Sequence, residues 1–172
     1  MTADRGAQGK ASDAASETAS ARGAAVESEW LEPGDSPGFL LWRVSLRWQR
    51  LMTATLRPLG LTHVQFVLLA SLWWLTEKAG EQPTQRRLAE FAATDPMMTS
   101  QVLRTLEAKG LVDRSAHPAD SRARRLAVTR AGANLARESI DAVETADRAF
   151  FQKATGNRSM VQFLRELSDQ SG

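Results

Sequence analysis

Gln101, Arg104, Thr105 and Ala108 recur at i, i+3, i+4 and i+7, the spacing that places side chains on one face of a helix. Together they offer an amide, a guanidinium, a hydroxyl and a small methyl. Such groups suit the base edges of a DNA major groove, where an amide can pair with adenine and a guanidinium with guanine. A little further on, Arg114, Arg122, Arg124, Arg125 and Arg130 stand against Asp120 alone, a local excess of +4. Charge of that density is a footprint for a polyanion. Taken alone it would equally suit a solvated hairpin tip; beside the first cluster, the polyanion is the stronger reading.

Signals at the ends of the segments identify the elements that must position these groups. Asp95 can cap the free N–H groups of a helix whose first residue is Pro96, where a missing donor costs nothing. Gly110 suits the left-handed residue that ends it. Met98, Val102, Leu103 and Leu106 are the expected core stripe. Upstream, Thr84 to Ala92 reads as a shorter helix capped by Thr84, joined by the turn Ala93-Thr94-Asp95. Two short helices across a tight turn make a helix-turn-helix. Downstream, Leu111 to Ser115 and Arg125 to Thr129 read as strands, with the polar stretch Ala116 to Arg124 as the loop between them. That hairpin with a basic tip would be a wing.

The remaining segments frame this unit. Residues 1–36 are rich in Ala, Ser, Gly and acids, with seven acids against three bases, and read as a disordered acidic tail. Their net of −4 leaves +6 for the rest of a chain that carries +2 in total. Gly38 to Arg57 is expected to be a helix that is apolar on most sides and therefore buried on most sides, most simply against a second copy of the chain. Thr62 and Gln65 fit a capping box before a helix from about His63 to Lys78, with Val64, Val67, Leu68, Leu72 and Leu75 on its buried face. Trp73 and Trp74 are adjacent, so at least one should leave that face. A long helix from Thr129 to about Ala154 carries Ala136, Ile140, Val143 and Phe150, interrupted by Asp147. A last helix, Ser159 to Ser168, carries Met160, Phe163, Leu164 and Leu167. The fold class is mainly α: a winged helix-turn-helix over 61–129, with 37–60 and 130–172 as a helical dimerisation region.

Four runs in order, Thr84-Gln85-x-x-Leu88-Ala89, Leu106-Glu107-x-Lys109-Gly110-Leu111-Val112-x-Arg114, Pro118-x-Asp120-x-Arg122-Ala123 and Val128-Thr129-x-x-Gly132, resemble the MarR family of bacterial transcription regulators. The resemblance implies a homodimer whose terminal helices interlock across a twofold axis. It implies binding to double-stranded DNA at a near-palindromic operator, most simply as a repressor. Thr99, Ser100, Gln101 and Arg104 would then face bases and phosphates, and Thr84 and Gln85 would also contact the DNA. Arg122 and Arg124 would put the wing tip into the minor groove and Arg125 would add a further DNA contact, with Asp120 orienting Arg122 or another wing arginine. Relatives of this kind often let go of DNA when a small aromatic or anionic ligand binds. A pocket for such an effector could draw on Trp42, Arg43, Trp48 and His63, although tryptophans in the core and arginines in solvent are the plainer account.

Other classes find little support. There is no cysteine, which excludes disulfides, thiolate zinc sites and thiol-based oxidant sensing. No Ser/His/Asp arrangement, glycine-rich phosphate loop or carboxylate pair suggests an enzyme. His63 and His117 lack metal-ligand spacing, and no cofactor is implied. No apolar run is long enough for a membrane span or a secretory leader, so the expected location is the cytoplasm. The alternative function is a winged helix that binds protein rather than DNA. It predicts a neutral or apolar contact face.

Overall fold

The computed structural model describes residues 34–117, 120–152 and 157–168, with backbone alone at 116, 117, 120–124 and 157–159. The expected tail over 1–36 therefore falls almost wholly outside the described residues. Contacts divide the chain into two units, 1–41 and 42–172. In the first, Ser36 opens α1 (Pro37–Leu56): its carbonyl accepts from the Leu40 N–H at 3.0 Å and its hydroxyl from the Phe39 N–H at 3.4 Å.

The second unit is built around α2 (His63–Trp73). The sequence places a start signal there, and it operates: Thr62 Oγ1 accepts from the Gln65 N–H, and Gln65 Oε1 accepts from the Thr62 N–H, both at 3.3 Å. Gly60, at φ 67°, supplies the left-handed turn between a short 3-10 stretch and this cap. Buried residues on α2 are Leu68, Leu69 and Leu72, while Val64 and Val67 are half-buried. Leu69 thus takes a place the expected stripe gave to the valines. A helix surrounded by α3, α4, α5 and β2 has no single apolar face, so a one-stripe pattern undercounts its core. Beyond Trp73 the helix widens into a π stretch (Trp74–Lys78), and the pair of tryptophans parts as expected. Trp73 packs against the core, whereas Trp74 is exposed and stacks on Phe91 at 5.3 Å.

Two short helices follow, α3 (Gln85–Phe91) and α4 (Pro96–Ala108), then strands β1 (Val112–His117) and β2 (Asp120–Val128), paired antiparallel. One core joins them: Met52, Leu56, Leu68, Leu72, Leu88, Leu103, Leu106, Leu111, Val112, Leu126, Ala136 and Val143 are all in it. Lys109 ties the end of α4 to the α1–α2 turn through the Gly60 carbonyl at 2.8 Å and Gln65 Oε1 at 3.0 Å.

Helix α5 (Arg130–Phe151) leaves the hairpin at a close crossing. Thr129 caps it by accepting from the Gly132 N–H, and donates its own hydroxyl to the Gly110 carbonyl. A Cβ on Gly132 would collide with the Leu111 carbonyl oxygen, so only glycine lets α5 lie this close to the start of the hairpin. The buried line on α5 is Gly132, Ala133, Ala136, Ser139 and Val143. Ser139 replaces the expected Ile140, because its hydroxyl is satisfied by the Ala136 carbonyl at 3.0 Å and can be buried. Helix α6 (Asn157–Ser168) exposes Val161, Phe163, Leu164 and Leu167. The expected break at Thr155-Gly156 lies outside the described residues. No single described helix is long and apolar enough to cross a membrane.

Candidate nucleic-acid interface

Helix α4 starts and stops where its signals place it. Asp95 Oδ1 accepts from the Met98 N–H at 2.9 Å, Pro96 opens the helix, and Gly110 closes it at φ 69°. Its inward side is Thr99, Leu103 and Leu106, each fully buried. The expected stripe therefore shifts at its N-terminal end: Met98 is exposed and Val102 half-buried. Thr99, expected to face DNA, instead sits in the core. Its hydroxyl donates to the Asp95 carbonyl at 2.8 Å, four residues back, and lies 2.8 Å from Thr94 Oγ1. A threonine so satisfied behaves as a core residue, which residue type alone does not reveal.

The outward stripe is as expected. Gln101, Arg104, Thr105 and Ala108 are all exposed, and Ser100 is half-buried. Thr105 Oγ1 donates back to the Gln101 carbonyl at 3.3 Å. Arg104 has no ion-pair partner among the described residues, so its five donors remain open to a ligand.

The neighbours of α4 hold it in place instead of adding to that stripe. Thr84 Oγ1 accepts from the Arg87 N–H as the cap of α3, and the Thr84 backbone forms an isolated bridge with Arg125. The Leu126 N–H also donates to the Pro83 carbonyl at 2.9 Å. Sequence reading missed this short third strip, since two bridged residues leave no periodicity. Gln85, expected at the DNA, is a brace: Nε2 donates to the Pro96 carbonyl at 3.4 Å, and Oε1 accepts from Arg114 Nη2 at 2.8 Å. Arg114 has only 14% of its side chain exposed and lies 3.7 Å from Glu107. It therefore drops out of the cationic footprint and becomes a strut between α3, α4 and β1. Arg125 is half-buried with an enclosed, unpartnered Nε, so only the outer end of its guanidinium can meet a ligand. On α3 itself, Arg87 grips Glu81 through two bonds of 3.0 and 2.9 Å, and the Arg87 hydrogen bond holds the Glu81 carboxyl below its ordinary range.

The wing is longer in strand and shorter in loop than its sequence suggests. Ala116 pairs with Arg124 and His117 with Asp120, with an irregularity between Ala116 and His117. Backbone pairing thus carries Arg122 and Arg124 within β2, not in a loop. Polar residues far from the core leave no hydrophobic alternation to mark such a strand. The roles expected of the Asp120, Arg122 and Arg124 side chains fall outside the described side chains.

Of the four residues considered for an effector pocket, the structure brings two together. Trp48 and His63 meet edge to face at 5.0 Å. Trp48 Nε1 donates to Asp147 Oδ1 at 2.7 Å, which explains the acid that interrupts the apolar line of α5. Burial pushes His63 below its ordinary pKa, and Asp147 partly opposes that shift. Trp48 packs against the core, the plainer account, whereas Trp42 and Arg43 are exposed. Asp147 was missed as a partner; a lone acid in an apolar line was its signal. Among the described residues no group of three metal-ligating side chains occurs.

A short helix, a tight turn, a second helix with an outward polar stripe, and a two-stranded hairpin define a winged helix-turn-helix. The model of the MarR family matches residues 61–123. The HTH-type transcriptional regulator YdcH of Bacillus subtilis is 42% identical over 140 residues, covering 81% of this chain and 95% of that protein. The HTH-type transcriptional repressor Rv2887 of Mycobacterium tuberculosis is 34% identical over 136 residues, covering 77% of this chain and 94% of that protein. Among solved structures, BpsR of Bordetella bronchiseptica, whose DNA binding is regulated by 6-hydroxynicotinic acid, aligns with a TM-score of 0.70 at 25% identity. That alignment covers 81% of this chain and 98% of the BpsR chain. The chain belongs to the MarR family of transcriptional regulators.

Proposed function

We propose that this regulator binds a near-palindromic operator as a homodimer and represses transcription from it. The observation that carries the reading is the open stripe Gln101, Arg104, Thr105 and Ala108, backed by a fully buried Thr99, Leu103 and Leu106. A helix anchored on one side and polar, cationic and uncluttered on the other fits a major groove. Arg104 is assigned to guanine and Gln101 to adenine. Ser100 and the outer end of Arg125 are assigned to phosphate, with Arg122 and Arg124 as the minor-groove wing. Thr84, Gln85 and Thr99 are assigned to support, since their side chains are already engaged.

Dimerisation is supported by what a single chain leaves uncovered. Phe39, Leu40, Leu41 and Trp42 on α1, and Val161, Phe163, Leu164 and Leu167 on α6, are all at least 42% exposed. Two recognition helices on a twofold axis would then enter successive major grooves about 34 Å apart. Release by a small aromatic ligand is proposed by likeness to BpsR.

The test is selection of duplexes from a random pool by the purified full chain, followed by mobility shifts at several salt concentrations and sedimentation. Inverted half-sites, a steep salt dependence and a dimer are expected. A protein that enriches no sequence and ignores DNA at low ionic strength refutes the reading and leaves the protein-binding winged helix in its place.

A further inference from the structure

Met97 is the most exposed of the large apolar side chains among the described residues, at 81%. Its position is not arbitrary. Met97 stands four residues before Gln101 and seven before Arg104, so it continues their stripe by one turn toward the helix N-terminus. Two residues on, Thr99 is fully buried, so this turn of α4 has one side sealed in the core and the other open to solvent. The Asp95 cap and Pro96 fix the backbone of the turn. Recognition helices bring their N-terminal residues to the base edges. The rest of the stripe is polar or a single methyl, so Met97 is its one large apolar group, and Met98 beside it is less than half as exposed, at 39%.

We infer that Met97 is a further base-reading residue, recognising the 5-methyl group of a thymine in each half-site. This rests on the DNA-binding reading above and adds a specificity that neither Arg104 nor Gln101 supplies. The thymine methyl is the apolar feature of the major groove. An unbranched thioether can adjust to it and leaves water in doing so.

The experiment uses duplexes that the full-length protein selects from a random pool. Each thymine is replaced in turn by deoxyuridine, which removes the 5-methyl group and nothing else. Withdrawing about one buried methyl should weaken wild-type binding about fourfold for one half-site and about sixteenfold for both, at a single symmetric position. Met97→Ala should bind more weakly and be indifferent to deoxyuridine there, whereas Met97→Leu should keep the discrimination. Unchanged melting of both variants, expected for so exposed a residue, ties the effect to the contact. An operator in which no deoxyuridine matters, or a Met97→Ala variant that discriminates like wild type, overturns the inference while leaving DNA binding intact. Failure to select any duplex overturns both.

Discussion

Thr99→Val asks whether the inward side of α4 is what the packing says it is. The change keeps the shape of the side chain and replaces the hydroxyl with a methyl. In the native protein that hydroxyl has one proton, and it goes to the Asp95 carbonyl at 2.8 Å. The bond of 2.8 Å to Thr94 Oγ1 is therefore donated by Thr94. Valine removes both bonds, each worth about 0.5–1.5 kcal/mol net. The Asp95 carbonyl keeps the Thr99 N–H at 2.8 Å, and Thr94 is half-buried and can turn to water, so no stranded group adds to the cost. The new methyl recovers about 0.8 kcal/mol of burial. The net expectation is a loss centred on about 1 kcal/mol and at most about 2 kcal/mol, read as a lower urea midpoint with an unchanged slope. Wild type and variant are compared at one protein concentration, because assembly would shift the midpoint by mass action. Thr99→Ser should retain the hydrogen bonds and lose only its methyl. At concentrations where the variant is folded, affinity for the selected operator should stay within about twofold, well under the tenfold that 1.4 kcal/mol represents. An unchanged midpoint together with a tenfold loss of affinity would place the Thr99 hydroxyl at the DNA and refute the core assignment.

Other perturbations separate the parts of the molecule. Arg104→Ala should cost about 1–3 kcal/mol of operator affinity and relax the preference at one base position, measured by titrating single-base operator variants. Arg122→Ala should weaken binding to most sequences and reduce the salt slope by about one, whereas Arg114→Met should leave that slope unchanged. Gly132→Ala forces a methyl against the Leu111 carbonyl; overpacking of about 1–3 kcal/mol is only partly offset by the better helix propensity of alanine, and the denaturation midpoint should fall. His63 has its folded-state pKa below the ordinary 6.5, so the unfolded chain takes up a proton first. Its contribution is complete above pH 6.5 and is lost as pH falls through the folded value, so the urea midpoint should drop on acidification and His63→Gln should flatten that drop.

The helices of this fold were legible where a local signal was self-sufficient. Thr62 with Gln65, Asp95 with Pro96, and Gly110 each act within a few residues, and each forms the contact its spacing implies. The outward stripe of α4 was legible for the same reason, since helical period alone assigns it. What could not be read depends on partners distant in sequence. Gln85 becomes a brace only because Arg114 arrives 29 residues later, and Trp48 finds Asp147 across 99 residues. The outer parts of the wing strands, 116–117 and 120–124, were invisible because polar pairing leaves no hydrophobic alternation. Thr99 and Ser139 escaped because a backbone carbonyl satisfies each hydroxyl locally, making a polar residue buriable.

A division of labour within the chain follows from these contacts. The runs by which the sequence resembles its family consist largely of scaffold. Leu88, Ala89, Leu106, Leu111 and Val112 are buried, Lys109 pins the α1–α2 turn, Glu107 lies by Arg114, and Gly132 permits the crossing of α5 over Leu111. The side chains left open on α4, namely Met97, Gln101, Arg104 and Thr105, fall between those runs. A substitution at one of these buried or bracing residues disturbs the angle at which the whole helix is offered, and so weakens binding to every sequence along with stability. A substitution among the open residues leaves the scaffold standing and alters which bases are preferred. Affinity and stability should therefore fall together for Gly132→Ala. For Arg104→Ala and Met97→Ala the base preference should change at constant stability.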